Sequence, residues 1–227
     1  MPDLLSTDPG WAAILTVNIL EALMPGSPSQ LVLFDVDGTL THADTMFAFA
    51  SSAAGRLRLL AALCLVSPVL VGMKLGLVDR GRAKGLLLRV CLAGIDRATL
   101  QAAAARFATE RLPQLLRQGA REQVQAHLDA GDRVVLVSAS LDLWLAPIAA
   151  ALGVGLISTE AAWEGDRFVG LAGPNCRGPE KVRRIREQLS PADFARSIAY
   201  GDSSGDREML AMADESHFQP FRASDDA

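Results

Sequence analysis

Residues 31–40 read LVLFDVDGTL. A short, continuous apolar run that ends abruptly in acids fits a strand covered on both faces, as strands of a parallel sheet are. This constrains the fold more than any other stretch of the chain. Side chains alternate along a strand, so Asp35 and Asp37 are expected to project to the same side where the run ends. Two carboxylates held that close repel, and one is pushed toward its protonated form. A purely structural role rarely justifies such an arrangement, whereas a metal site or an acid/base pair does.

The remaining pattern agrees with a parallel sheet. Residues 46–116 read as helical, with short breaks near 67–68, 79–82 and 94–97. Then comes REQVQAHLDAGDRVVLVSAS: a helix, a turn at Gly131-Asp132 and a second strand over 133–138. LDLWLAPIAAALGV is another helix, ended by Gly153, and GLIST a third strand. AAWEG and DRFVGLAG suit a hairpin. PEKVRRIREQL is a helix with Pro179 in its first turn, SIAYGDS a fourth strand, GDREMLAMAD a short helix and SHFQP a last edge strand. Strands alternating with helices predict an α/β fold, a Rossmann-like parallel sheet with helices on both faces. The core comprises 30–45 and 117–227. The block 46–116 is an all-helical cap inserted directly after the first strand, placed as a lid over the strand ends. Residues 1–29 form an extension in which Asp8 and Pro9 start a short apolar helix and PGSPS is a linker.

With 227 residues, half of them apolar, the chain can bury one sizeable core, or a core and a small second domain. A net charge of −4 says little about the whole molecule, but its distribution does. Thr45 to Ile95 holds Arg56, Arg58, Lys74, Arg80, Arg82, Lys84 and Arg89 against the single acid Asp79, so this segment is +6 and the remainder −10. That asymmetry points the middle segment toward an anionic ligand or surface. A nucleic-acid partner is not expected. Cys64, Cys91 and Cys176 form no C-x-x-C pair and read as small buried thiols in a reducing cytoplasm. Residues 1–29 lack any Lys or Arg and so lack the basic start of a signal peptide.

Open α/β sheets bind ligands beyond the carboxyl ends of their strands, and the polar residues gather there. Asp35 and Asp37 follow the first strand, Ser138 and Ser140 the second, Asp202 and Ser203 the fourth. DVDGTL, the Ser after VVLV, the Lys of GPEKV and YGDSSGD resemble, in order, the four motifs of the haloacid dehalogenase superfamily of phosphohydrolases. The insertion point of the helical block resembles its phosphoserine-phosphatase branch. The resemblance implies a magnesium-dependent phosphatase that hydrolyses a phosphomonoester through an aspartyl-phosphate. Asp35 is then the nucleophile and Asp37 the general acid and base, a use of paired carboxylates that chemistry supports. It further implies that Ser138 donates to a phosphoryl oxygen, that Ser140 lies in the substrate pocket, and that Lys181 faces the phosphoryl group and the aspartates. Magnesium falls to Asp35, the backbone carbonyl of Asp37, and Asp202. Asp206, the second acid of the last motif, holds either a metal-bound water or Lys181. Ala139 stands where the family often has Gly. Three rivals share the fold: a 2-haloacid dehalogenase, which needs neither Asp37, Asp202 nor a metal; a phosphotransferase, in which an alcohol replaces water; and an inert binding or regulatory protein.

Two features of the inserted block bear on substrate. Asp44, nine residues after Asp35, and Arg89, in LLLRVCL, resemble the phosphoserine-phosphatase residues that meet the substrate amine and carboxylate. Asp44 is shorter than the usual Glu, and DGTL departs from that enzyme's DSTL or DSTV. The competing clue is LLAALCLVSPVLVGMKLGLV, residues 59–78, whose one charge is Lys74. As a helix it would span roughly 30 Å, about a bilayer core, yet Pro68 and Lys74 argue against a plain membrane span. Flanking basic residues favour an anionic lipid surface, with peripheral contact through 57–84 at the inner face of a membrane. A hairpin buried in the cap and a dimer interface are the alternatives. The same block resembles bacterial phosphatidylglycerophosphate phosphatases in its GRA stretch, the following leucines and GPEKV. The substrate is thus expected to be a phosphoserine-like small molecule or a phospholipid head group. His42, His127 and His217 share no metal-ligand spacing and read as ordinary residues; His42, close behind the first motif, is the exception to watch.

Overall fold

Strand β1 (Gln30–Phe34) sits at the middle of the sheet because both of its faces are apolar. Val32 and Phe34 point into one apolar cluster and Leu31 and Leu33 into another, so the alternation of side chains divides one run between two cores. The computed structural model describes residues 30–222. The helix and linker expected within residues 1–29 lie outside the described residues. Six strands order as β4-β3-β2-β1-β5-β6. β2 (Arg133–Leu141) and β5 (Arg196–Gly201) flank β1 in parallel, and β3 (Gly155–Glu164) and β6 (Glu215–Phe218) extend the sheet in parallel on either side. β4 (Arg167–Ala172) returns antiparallel to β3, which is the expected hairpin. The α/β fold with a parallel central sheet therefore stands, with an antiparallel strand at one edge.

Between β1 and β2 the chain runs through α1 (Thr45–Ala54), α2 (Arg56–Lys74), α3 (Arg80–Cys91), α4 (Arg97–Arg106), a π-helical turn (Phe107–Arg111) and α5 (Leu112–Leu115), then α6 (Gln118–Asp129). Asp44, Asp79 and Asp96 cap α1, α3 and α4 by accepting from backbone N–H groups of their first turns. The inserted helices share the apolar cluster of the sheet. Phe49 of α1 stacks on Trp144 with ring centres 5.0 Å apart, and Phe107 meets Phe49 edge-on at 5.7 Å. Trp144 belongs to α7 (Asp142–Leu152), which Gly153 ends in the left-handed conformation. α8 (Pro179–Gln188) and α9 (Arg207–Met212) cover the opposite face through Ile185 and Met209.

Three expectations need correction. β2 runs to Leu141 rather than 138, because it stays paired with β3 through a register shift: Ser138 lies opposite Ser158, and Leu141 opposite Thr159. Two residues bulge out between those pairs, Ala139 and Ser140. Next, Cys64 is exposed, whereas Cys91 and Cys176 are buried, because Cys64 lies on the outward face of α2. Third, Asp35 and Asp37 do not both lie on the strand. The strand stops at Phe34 and the chain turns through Val36 and Asp37, so the two carboxylates find different partners.

Candidate active site

The carboxyl ends of β1, β2 and β5 bring the motif residues together. Asp35 extends the ladder one residue past β1, its N–H donating to the Tyr200 carbonyl at 2.9 Å. That anchors its buried carboxylate, which accepts from Lys181 Nζ at 2.6 Å and Thr39 Oγ1 at 3.2 Å. Lys181 starts α8, and the hydrogen bond from Gly178 N–H to the Gly205 carbonyl ties that helix start to the loop after β5. The ammonium is 1% exposed and donates to Asp35, to Asp206 Oδ1 and to the Val137 carbonyl, each at 2.6 Å. Of the two roles left open for Asp206, the structure shows the hold on Lys181. Its second oxygen accepts from Ser203 N–H and Oγ at 2.9 and 2.8 Å.

Charge is unevenly compensated here. Burial pushes the Asp35 carboxyl up to about 7 against the pull of Lys181, while the field of Asp37 is a minor contributor. The repulsion expected between the two acids is therefore weak beside desolvation. Burial also works against the charges of Lys181 and Asp206, yet their mutual attraction wins. The lysine is held above its ordinary range and Asp206, with help from Ser203, below its own.

Asp37 serves a different set of contacts. Its carboxylate accepts from Thr45 N–H at 2.7 Å and Ser140 Oγ at 2.5 Å. Thr45 Oγ1 in turn donates to Ser140 Oγ at 3.3 Å and accepts from Trp144 Nε1 at 3.1 Å. A buried polar chain from α7 thus fixes the orientation of Asp37, and Ser140 acts on that acid. Ser138 is buried, and its Oγ accepts from Ser140 N–H at 3.0 Å.

One ligand oxygen each from Asp35, Asp202 and Asp206 lies within 4.8 Å of the others, and all three residues are buried. Gly38 makes room for this approach: a Cβ there would fall 2.2 Å from Asp202 Oδ2. Three converging carboxylates beside one buried lysine suit a hard divalent cation such as magnesium, which takes oxygen ligands. Asp202 also accepts from Arg222 at 2.9 Å. The Asp37 carboxylate points to Thr45 and Ser140 instead, which is compatible with a ligand role for its backbone carbonyl alone.

From the inserted helices, Asp44 accepts from Met46 N–H at 2.8 Å and lies in the field of Asp37 and Lys84. Arg89 does not join this group. It is exposed and lines a groove between α3 and β4 with Arg82, Leu171 and Asn175. Lys84, counted above only as one basic residue among seven, does reach the site: its Nζ donates to the Ala139 carbonyl at 2.7 Å. A signal was available in the spacing Gly81–Lys84–Gly85, one helix face with no bulk beside the lysine. A Cβ on Gly85 would lie 2.8 Å from Leu171 Cδ1, so α3 packs closely on β4. For Thr45 no such signal existed. His42 meets the Gln114 carbonyl, His127 bridges Asp132 and Tyr200, and His217 pairs with Glu215, all as ordinary residues.

This fold and these motifs define a hydrolase of α/β type whose chemistry sits at the strand ends. The haloacid dehalogenase-like hydrolase family model matches residues 32–211, and the chain belongs to that family. Protein CicA of Caulobacter vibrioides is 40% identical over 200 residues, spanning 87% of this chain and 89% of that one. Among solved structures, a protein of unknown function from Bordetella pertussis Tohama I superposes with a TM-score of 0.72 at 28% identity, covering 84% of this chain and 89% of its own. A substrate-bound phosphoserine phosphatase superposes with a TM-score of 0.57 at 17% identity over 86% of this chain and 87% of its own, a likeness of fold.

Proposed function

We propose that the protein is a magnesium-dependent phosphomonoesterase working through an aspartyl-phosphate on Asp35. The observation that carries this reading is the convergence of Asp35, Asp202 and Asp206 around one oxygen-lined position, with Lys181 fastened to two of them. An Asp35 oxygen attacks phosphorus in line, and the bond to the leaving alcohol oxygen breaks. Asp37 gives that oxygen its proton. Water then attacks the aspartyl-phosphate, Asp37 takes the water's proton, and inorganic phosphate leaves with Asp35 restored. Ser138 and Lys181 are assigned to phosphoryl oxygens; Lys181, whose three N–H groups are engaged by Asp35, Asp206 and the Val137 carbonyl, would give up one of those acceptors when the phosphoryl group arrives. Asp35, Asp202 and the Asp37 carbonyl would hold magnesium, which supplies charge neutralisation between the carboxylates and the phosphoryl group. Family membership supports the hydrolase class, and the similarity in fold to phosphoserine phosphatase, known in a phospho-aspartyl intermediate analogue, supports the route. The substrate is a phosphorylated small molecule or a phosphorylated lipid head group.

The test is phosphate release from phosphoserine, phospholipid head-group phosphates, sugar phosphates and nucleotides, with magnesium and with chelator. Magnesium-dependent release that disappears in Asp35→Asn is expected. Turnover retained by Asp35→Asn removes the nucleophile assignment, and inertness toward the whole set removes the reading.

A further inference from the structure

Helix α2 has two faces with different surroundings. Leu59, Ala62, Leu63, Val66, Val69 and Leu70 pack into the apolar cluster shared with the sheet. On the other side Leu57, Leu60, Leu65 and Val71 are 84, 57, 72 and 56% exposed, and the stripe continues past the helix end through Leu75 and Leu77. Cys64 lies within it, also exposed. At a rise of 1.5 Å per residue the 19-residue helix gives a stripe about 28 Å long. No described residue covers this strip, and long exposed apolar strips mark interaction faces.

The charges at its ends say what covers it. Arg56 stands at one end and Lys74, Arg80 and Arg82 at the other, all exposed. The only acid from Thr45 to Ile95 is Asp79, and its carboxylate is engaged in capping α3 through Arg82 N–H. A two-fold pairing of two copies on this stripe sets basic ends against basic ends in both the parallel and the antiparallel arrangement. An anionic surface meets the same charges favourably while accepting the leucines. The inward face of α2 is committed to the core, so the helix cannot cross a bilayer without losing that packing.

We propose that the outward face of α2, with its flanking basic residues, docks the protein on the surface of an anionic lipid bilayer, the helix lying in the plane of the interface. The chain carries its own probe: Cys64 is exposed in the stripe, while Cys91 and Cys176 are 0% exposed. Full-length protein labelled at Cys64 with an environment-sensitive fluorophore is mixed with vesicles of phosphatidylcholine alone or with about a third phosphatidylglycerol. A blue shift confined to the anionic vesicles is expected. Vesicle sedimentation of unlabelled protein should weaken at least about tenfold in the pair Arg80→Glu and Arg82→Glu, and likewise in the pair Leu65→Glu and Val71→Glu. All four residues are exposed, and circular dichroism checks that the variants fold. Absence of the shift with anionic vesicles overturns the proposal, as does equal binding to neutral vesicles. A concentration-dependent dimer in which Cys64 is shielded, with no vesicle binding, assigns the stripe to a second copy instead. None of these outcomes depends on turnover, so they stand apart from the catalytic reading.

Discussion

Lys84 of α3 donates from Nζ to the carbonyl oxygen of Ala139 at 2.7 Å, joining the inserted helices to the bulge of β2 that also carries Ser140. The bulge makes this contact available. The shift of register takes Ala139 out of the ladder to β3, and its carbonyl instead accepts from Lys84 and from Thr159 Oγ1 at 2.9 Å. Burial depresses the lysine pKa, and Asp37 and Asp44 partly offset that by favouring the charged form.

Lys84→Met should therefore impair catalysis more than folding. A fall in kcat/KM of roughly tenfold or more is expected, about 1.4 kcal/mol of lost transition-state stabilisation. Steady-state kinetics on the best substrate from the screen, beside a thermal melt, checks this. A melt that collapses while the specific activity of the folded fraction is unchanged would make Lys84 a structural residue only.

Lys181, Asp35 and Asp206 form one unit, and their substitutions should not add. Lys181→Met leaves two buried carboxylates without their cation and is expected to destabilise by about 3–5 kcal/mol. Asp206→Asn removes part of that repulsion. The double variant should thus be less destabilised than the sum of the two single changes, by about 1 kcal/mol or more. Urea melts of the four proteins measure this coupling, and strict additivity would show that Lys181 and Asp206 contribute to stability without interacting, against their 2.6 Å contact.

Ser140 holds Asp37, the residue proposed as acid and base, so Ser140→Ala should act on kcat. Its hydroxyl is the 2.5 Å donor to Asp37, and Thr45 N–H keeps the second contact. With one of two donors gone, Asp37 remains in place but less firmly oriented. A fall in kcat of about tenfold with KM nearly constant is expected. A KM that rises while kcat holds would move Ser140 to the substrate pocket, the role suggested by the resemblance.

How much of this was legible in the sequence varies with the kind of interaction. Asp35, Ser138, Lys181, Asp202 and Asp206 could be placed because a parallel sheet collects strand ends, and each follows or closes a recognisable strand or opens a recognisable helix. The division of roles between Asp35 and Asp37 was harder. It depends on a turn directly after Phe34 that local propensity does not specify, and on Thr45 and Trp144, which are 99 residues apart yet hydrogen-bonded. Arg89 and Lys84 show the same limit on one helix. Both are basic residues of α3, five positions apart; Gly81 and Gly85 mark a close-packed face beside Lys84, but the seating of Gly85 on Leu171 is what shows which of the two reaches the strand ends. The outward stripe of α2 was visible as an apolar run, but its exposure was not, since a buried hairpin shows the same composition.

Gly38 offers the most local test of the metal reading. Its φ is 93°, a region that side-chain-bearing residues rarely adopt, and a Cβ would fall 2.2 Å from Asp202 Oδ2. Gly38→Ala therefore strains the turn and displaces the Asp202 carboxylate from its approach to Asp35 and Asp206. Backbone strain of this kind costs about 1–3 kcal/mol. The loss of stability should be modest, and the loss of magnesium affinity larger, because the proposal makes the displaced group a ligand rather than a core side chain. Titrating activity against magnesium should show half-saturation moved upward about tenfold or more, with partial recovery at high metal concentration. If Gly38→Ala loses stability but keeps the wild-type magnesium dependence, Asp202 is not holding the ion, and the cluster of Asp35, Asp202 and Asp206 must be reassigned to Lys181 and Arg222 alone.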